Sequence, residues 1–300
     1  MTQVLTVIDD PQRAELNAAH MESLRAALAM AGAIPGEADW LWEGVACDLP
    51  FTPAPDHVGL EAQLRAVLGD APLDLAIQPA AGRRKALLVA DLESTIIAQE
   101  MLDELGELVG KRAEIAEVTA RSMRGELGFE EALNARVALL ADLPERVLSD
   151  TAARMSVNPG AASLVATLRR QGVRCALVSG GFTCFAEPIA ERLGFEVVRA
   201  NCLEVSNGRL SGRVVQPILG REAKLETLQE LCREGDITLA EAAAVGDGAN
   251  DLAMLEAAGL GVAYRGKPLV RERARFRLDH ADLTGLLFLQ GYRREEIVAG

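Results

Sequence analysis

The sequence predicts an α/β protein: a Rossmann-like parallel sheet with an inserted helical cap, preceded by a small α/β unit. Three observations carry this. Apolar runs without polar alternation recur at 86–90, 173–178, 242–245 and 260–263, as expected of strands covered on both faces. Helix-like segments at 161–170, 185–193 and 223–232 separate or follow them, and strand–helix alternation marks a doubly wound sheet. Residues 97–155 are helix-like throughout and contain no strand run, so they read as a helical insertion.

The elements follow in order. Residues 4–8 read as a strand and 11–31 as a helix with Leu16, Ala19, Leu24, Leu28 and Met30 on its apolar face. A second strand is expected at 40–45. Trp40 and Trp42 stand two apart there, hence on one face, in core packing. A helix over 57–68 presents Leu60, Leu64, Val67 and Leu68, and 73–77 reads as a third strand. Pro79-Ala80-Ala81-Gly82-Arg83-Arg84 then breaks the pattern as a linker. The expected domains are therefore 1–78 and 85–300, with the linker at 79–84 and the helical cap at about 97–155. Runs at 203–205 and 210–215 flank Asn207-Gly208, a strong hairpin signal.

Composition narrows the function classes. A length of 300 residues matches about two domains at roughly 150 residues each. Hydrophobic residues at 49% and charged residues at 25% exclude a disordered or collagen-like chain. The net charge of -13 argues against nucleic acid and anionic membranes as partners. No apolar stretch reaches the roughly 20 residues of a membrane span. The N-terminus has no basic region followed by an apolar run, so a cytoplasmic protein is expected. Cys47, Cys175, Cys184, Cys202 and Cys232 form no CxxC pair and read as buried free thiols. His20, His57 and His280 are scattered and adjoin no catalytic pattern.

The chemistry lies at strand exits, where open parallel sheets bind ligands. Asp91 and Glu93 follow the first apolar run and Ser179-Gly180-Gly181 the second. Asp247 and Asp251, in Gly246-Asp247-Gly248-Ala249-Asn250-Asp251, follow the third, and Lys224 opens a helix. Each piece alone is no more than a helix cap or a tight turn. Together they bring four carboxylates into one crevice. Two like charges 4 Å apart repel by about 4 kcal/mol at an effective dielectric of 20, so a cation is required. Oxygen donors without His or Cys favour Mg²⁺. A metal, a lysine, a hydroxyl and bare amides suit a phosphoryl group. Asp91 is then the natural nucleophile, giving an aspartyl-phosphate, and Glu93 the general acid and base.

These segments resemble the four signature segments of the haloacid-dehalogenase-like superfamily, and within it the phosphoserine phosphatase family. Gln99-Glu100, Met123-Arg124-Gly125-Glu126-Leu127, Phe129 and Arg136-Val137-Ala138-Leu139-Leu140 resemble that family's helical cap. The resemblance covers about residues 85–290. It implies Mg²⁺-dependent hydrolysis of O-phospho-L-serine to L-serine and phosphate, the last step of L-serine biosynthesis. It further implies Asp91 as nucleophile and metal ligand, Glu93 as acid/base with its carbonyl on the metal, and Asp247 as the third ligand. Asp251 would support the metal from behind. Ser179, Gly180, Lys224 and Asn250 would hold the phosphate. Glu100 would take the substrate ammonium, Arg136 its carboxylate, and Met123 and Phe129 would exclude water. Segment 1–78 is similar, more loosely, to an ACT-like regulatory or dimerisation domain, with free L-serine and a second copy of the chain as candidate partners. A phosphotransferase, a phosphatase for another small phosphomonoester, and a catalytically weak amino-acid-binding regulator are the alternatives.

Two departures stand out. The family usually has Asp at position 93, and the longer Glu93 carboxylate moves by about 1 Å, a displacement that can cost about 100-fold. Related N-terminal modules often carry glycine after their first strand, where this chain has Asp9-Asp10-Pro11.

Overall fold

The computed structural model describes residues 2–53, 59–124, 126–220 and 222–300, with the side chain of Met123 outside the description. The N-terminal unit is built from β1 (Gln3–Ile8), α1 (Ala18–Met30), β2 (Ile34–Pro35), β3 (Asp39–Trp42), β4 (Ala46–Thr52), α2 (Leu60–Leu68) and β5 (Asp74–Pro79). Its antiparallel sheet runs β2-β4-β1-β5, with β3 also on β4. β4 pairs with β1 along its length, yet its periodicity hides it, because Asp48 and Pro50 interrupt the apolar run. Asp48 is tolerated inside because it accepts from the Thr6 hydroxyl at 2.6 Å. Helix α1 starts at Ala18 rather than at 11. Asn17 caps it by accepting from the N–H groups of Ala19 and His20. The beginning of the helix expected at 57–68 lies outside the described residues, and α2 is seen from Leu60.

Trp40 and Trp42 do not share a face as expected. The β3–β4 register shifts between them. Trp40 packs on the N-terminal core, while Trp42 packs on the second core and meets Phe288 edge-on at 6.1 Å.

The second unit contains β6 (Leu87–Ala90), α3 (Met101–Leu108), α4 (Arg112–Met123), α5 (Phe129–Ala138), α6 (Arg146–Ala152), α7 (Ala161–Arg170), β7 (Arg174–Phe182) and α8 (Thr183–Leu193). It continues through β8 (Val197–Asn201), β9 (Leu203–Ser206), β10 (Arg209–Val214), α9 (Ala223–Glu234), β11 (Ala242–Gly246), α10 (Leu252–Ala257), β12 (Leu260–Tyr264), α11 (Pro268–Arg273), β13 (Phe276–Leu278) and α12 (Gly285–Leu289). The sheet is parallel throughout, in the order β13-β12-β11-β6-β7-β8. Strands β6, β11 and β12 are buried at every position. The cause is visible in β6: Leu88 faces one apolar cluster and Leu87 and Val89 the opposite one. Helices cover both sides, so alternation is lost. Strand β7 continues through Gly181 to Phe182, so Ser179-Gly180-Gly181 lies within the strand end rather than after it.

Helices α3–α6 stand between β6 and α7, and the β9–β10 hairpin packs on them. Asp142 N–H donates to the Leu210 carbonyl at 2.9 Å. Asn207 and Gly208 both take positive φ at the hairpin tip, as its two-residue turn requires. The two connections into the helical insertion are pinned to each other. Ile97 bridges Val157, and Gln99 bonds the backbone carbonyl of Arg154 as well as the hydroxyl and N–H of Ser156. Among the described residues no helix is long and apolar enough to cross a membrane. Cys202 is exposed and Cys184 half-buried, unlike the expectation of five buried thiols, while all five are free.

The N-terminal unit is docked on the second by buried polar contacts. Arg83, in the predicted linker, pairs with Asp48 and donates to the carbonyls of Phe288 and Leu289. The carboxylate of Asp74 is buried and accepts from the N–H groups of Asp279, His280 and Ala281 at 2.8–3.0 Å. Asp74→Ala would strand three inward-facing amides. We expect it to lower the unfolding free energy of the full chain by about 3 kcal/mol in urea titrations, with Asp74→Asn intermediate. A loss below about 0.5 kcal/mol would show that water replaces the carboxylate without cost.

Candidate active site

The carboxyl ends of β11, β6 and β7, the central strands of the sheet, converge on one crevice. Asp91 follows β6 directly and is held there because its N–H donates to the Val245 carbonyl of β11 at 3.0 Å. Asp247 leaves β11, Ser179 lies near the end of β7, and Lys224 sits in the first turn of α9. Asp91, Ser179, Lys224, Asp247 and Asp251 are all buried.

Charge dominates this crevice. Carboxylate oxygens of Asp91, Asp247 and Asp251 lie within 4.8 Å of one another. The Lys224 ammonium reaches Asp91 Oδ1 at 2.8 Å and Asp251 Oδ1 at 2.5 Å. Asp251 is anchored further by the Gly248 N–H at 2.8 Å. Burial pushes the Asp91 carboxyl well up, and the Asp251 charge adds to this against the pull of Lys224. Burial also raises Asp247, which Lys267 partly offsets at 3.0 Å. Burial alone would lower Lys224, but Asp91 and Asp251 carry it upward overall. These directions describe a cluster short of positive charge. Three buried oxygen donors and no His or Cys fit a hard divalent cation.

The neighbouring end of β7 is equally defined. Ser179, Gly180, Lys224, Asn250 and Phe129 line one small pocket. The Ser179 hydroxyl accepts from the Gly181 N–H at 2.9 Å, and Asn201 holds the Gly180 carbonyl at 2.9 Å, so the strand end is fixed. Phe129, half-buried at the start of α5, stands against Gly180.

Glu93 lies in a sharp turn in which the next residue, Ser94, takes φ 54°. Its carboxylate does not hang free. Oε1 accepts from the N–H of Met101 at 2.9 Å, so it caps the first helix of the insertion. Burial and then the Glu100 charge raise its pKa to about 7, against the Met101 N–H, Lys224 and Arg136. That value suits proton transfer near neutrality.

A second cavity of about 310 Å³ adjoins this carboxylate, lined among others by Glu93, Glu100, Asp103, Arg136 and Lys267. Glu100 Oε1 accepts from Ser94 Oγ at 2.9 Å and lies 3.5 Å from Lys267 Nζ. Arg136, from α5, is largely desolvated and bonds only the Ala132 carbonyl among the described residues. Desolvation without a carboxylate partner leaves its fork open to the cavity.

The structure thus brings together Asp91, Glu93, Glu100, Phe129, Arg136, Ser179, Gly180, Lys224, Asp247, Asn250 and Asp251. The side chain of Met123 lies outside the described residues. Sequence reasoning passed over Lys267 and Asp103. Lys267 carried a signal, since Gly266-Lys267-Pro268 sits at the exit of a fourth apolar run. Asp103 carried one in its spacing, three residues after Glu100 at a helix start.

Gly181 shows how tightly Glu93 is seated. A Cβ there would lie 2.9 Å from Glu93 Oε2 and 3.1 Å from its Cδ. Because Met101 holds the carboxylate, Gly181→Ala should displace it and lower turnover by about 10- to 100-fold. Glu93→Asp in the same chain should recover most of that loss in steady-state assays. An uncoupled pair, with the two effects simply multiplying, would contradict this packing.

Comparison with known proteins places the chain. Residues 88–256 match the family model described as haloacid dehalogenase-like hydrolase. The chain is 42% identical over 255 residues to a phosphoserine phosphatase of Mycobacterium tuberculosis, covering 84% of this chain but 62% of that protein. The chain therefore spans about three fifths of that relative. It is 43% identical over 199 residues to the phosphoserine phosphatase of Streptococcus thermophilus, covering 66% of this chain and 93% of that one. A crystal structure of a probable phosphoserine phosphatase from Vibrio cholerae, 31% identical, superposes with a TM-score of 0.79 over 98% of this chain and 88% of its own.

Proposed function

Because the chain belongs to the haloacid dehalogenase-like hydrolases and among them to the phosphoserine phosphatases, we propose that it hydrolyses O-phospho-L-serine to L-serine and phosphate. The observation that carries this reading is the pairing of two pockets: a phosphate cradle at Ser179 and Lys224, and beside it a cavity with acids on one wall and an open guanidinium on the other. A zwitterionic headgroup on a phosphate monoester matches both.

In this reading an Asp91 carboxylate oxygen attacks phosphorus in line with the serine oxygen. The P–O bond to serine breaks as the aspartyl-phosphate forms. Glu93, protonated, gives its proton to the departing alkoxide. It then takes a proton from the attacking water, whose oxygen joins phosphorus and releases Asp91 and phosphate. Lys224, the Ser179 hydroxyl, the Gly180 amide and the Asn250 side chain hold the phosphoryl oxygens. Phe129 keeps bulk water off the strand end. Glu100 receives the substrate ammonium and Arg136 its carboxylate. Asp91, Asp247 and the backbone carbonyl of Glu93 would hold Mg²⁺, with Asp251 behind them, and the bound ion supplies neutralisation of the phosphoryl charge. The Glu93–Met101 contact supports an active enzyme in spite of the longer acid, since the cap helix seats the extra methylene.

We read 1–78 as an ACT-like domain, 79–84 as its linker, and 85–300 as the phosphatase domain with its cap at about 97–155. The buried Asp9 carboxylate accepts from the N–H groups of Asp10 and Glu15 in the loop after β1. That internal anion supports a packing role over capture of free L-serine in this loop. Exposed Met30 at the end of α1 and exposed Ile34 in the edge strand β2 support a second copy as its partner. Free thiols throughout support a cytoplasmic setting.

A phosphate-release panel of small phosphomonoesters tests the reading, with Mg²⁺ and with chelator. Phosphoserine should lead the panel and lose turnover on chelation. Asp91→Asn should abolish release, and Glu93→Ala should cost roughly 10²–10⁴-fold while Glu93→Asp costs far less. Hydrolysis persisting in Asp91→Asn would remove the covalent route.

A further inference from the structure

We propose that Asp103 is a specificity-determining residue of the headgroup cavity, receiving the substrate ammonium jointly with Glu100 while Arg136 reads the carboxylate. The inference rests on the phosphoserine reading above and deepens it.

The placement comes from helix geometry. Glu100 is the N-cap of α3 and Asp103 lies in its first turn, with the Asp103 N–H on the Glu100 carbonyl at 3.1 Å. Residues three apart share a helix face. Both side chains line the same cavity as Arg136, which approaches from α5.

Donor and acceptor counting gives Asp103 a part to play. A substrate ammonium brings three donors. Glu100 Oε1 already accepts from Ser94 and faces Lys267. Its remaining oxygen cannot satisfy three N–H groups, and Asp103 is the other acid at that wall. Burial and then the Glu100 charge push the Asp103 carboxyl up, against the pull of Arg136 and Arg112. Asp103 is exposed and closes no ion pair with Arg136 among the described residues, so its carboxylate is open to a ligand entering the cavity. The cavity therefore has an anionic wall on α3 and a cationic wall on α5, the polarity of an amino acid headgroup.

The full chain with Mg²⁺ tests this with three substrates: O-phospho-L-serine, its des-amino analogue 3-(phosphonooxy)propanoate, and phosphoethanolamine, which lacks the carboxylate. In Asp103→Asn, kcat/KM should fall by about 10-fold or more for the two ammonium-bearing substrates, chiefly through KM. The loss for the des-amino analogue should be at least about fivefold smaller. Asp103→Glu, which keeps the charge, should recover part of the ammonium preference. An equal loss on all three substrates would make Asp103 a packing residue and overturn the proposal. A loss confined to the two carboxylate-bearing substrates would make it the support of Arg136, and would overturn it as well. Wild-type enzyme that does not prefer phosphoserine over its des-amino analogue would instead defeat the phosphoserine reading itself, and the inference with it.

Discussion

The contact on which the rest depends is the buried ammonium of Lys224 between Asp91 and Asp251. Three carboxylates within 4.8 Å of one another, out of water, would not stay ionised together unaided. Lys224 neutralises part of that charge and does so from the first turn of α9, so the helix, the sheet and the cluster hold one another in place. The remaining deficit of positive charge is what suits the crevice to a hard cation. Stability and chemistry draw on the same imbalance.

A second constraint ties Glu93 to the helical insertion. Glu93 belongs to the turn after β6, yet its carboxylate caps α3 through Met101. The connections on either side of the insertion are themselves bonded through Ile97, Val157 and Gln99. Movement of the insertion would therefore carry the Glu93 carboxylate with it. The arrangement also explains how a longer side chain at position 93 is accommodated: the extra methylene is used in reaching the helix end, in space that Gly181 leaves open.

The N-terminal unit is held to the sheet by buried carboxylates and a buried guanidinium rather than by apolar burial alone. Asp74 binds three consecutive amides just beyond β13, and Arg83 connects Asp48 with the carbonyls at α12. Such contacts are directional. They specify one orientation of the two sheets, and they turn part of the apparent linker into an interface.

Most of the parallel sheet was legible in the amino-acid order, because strands buried on both faces must be apolar at every position and helices between them must show one apolar stripe. The site was legible for a related reason: its carboxylates, its lysine and its glycine-flanked serine sit at strand exits, where local sequence and local geometry coincide. Strand β4 escaped because Asp48 is paid for by a partner 42 positions away in sequence. The bulge between Trp40 and Trp42 escaped because register is set by the neighbouring strand. Asp103, Lys267 and the Glu93–Met101 bond likewise became visible only when distant segments met. Sequence by itself determined which residues could do the chemistry, since that depends on side-chain type and strand position. Only the tertiary structure decided how each charge is balanced, because Coulomb and hydrogen-bond energies depend on distances between segments that the chain order does not contain.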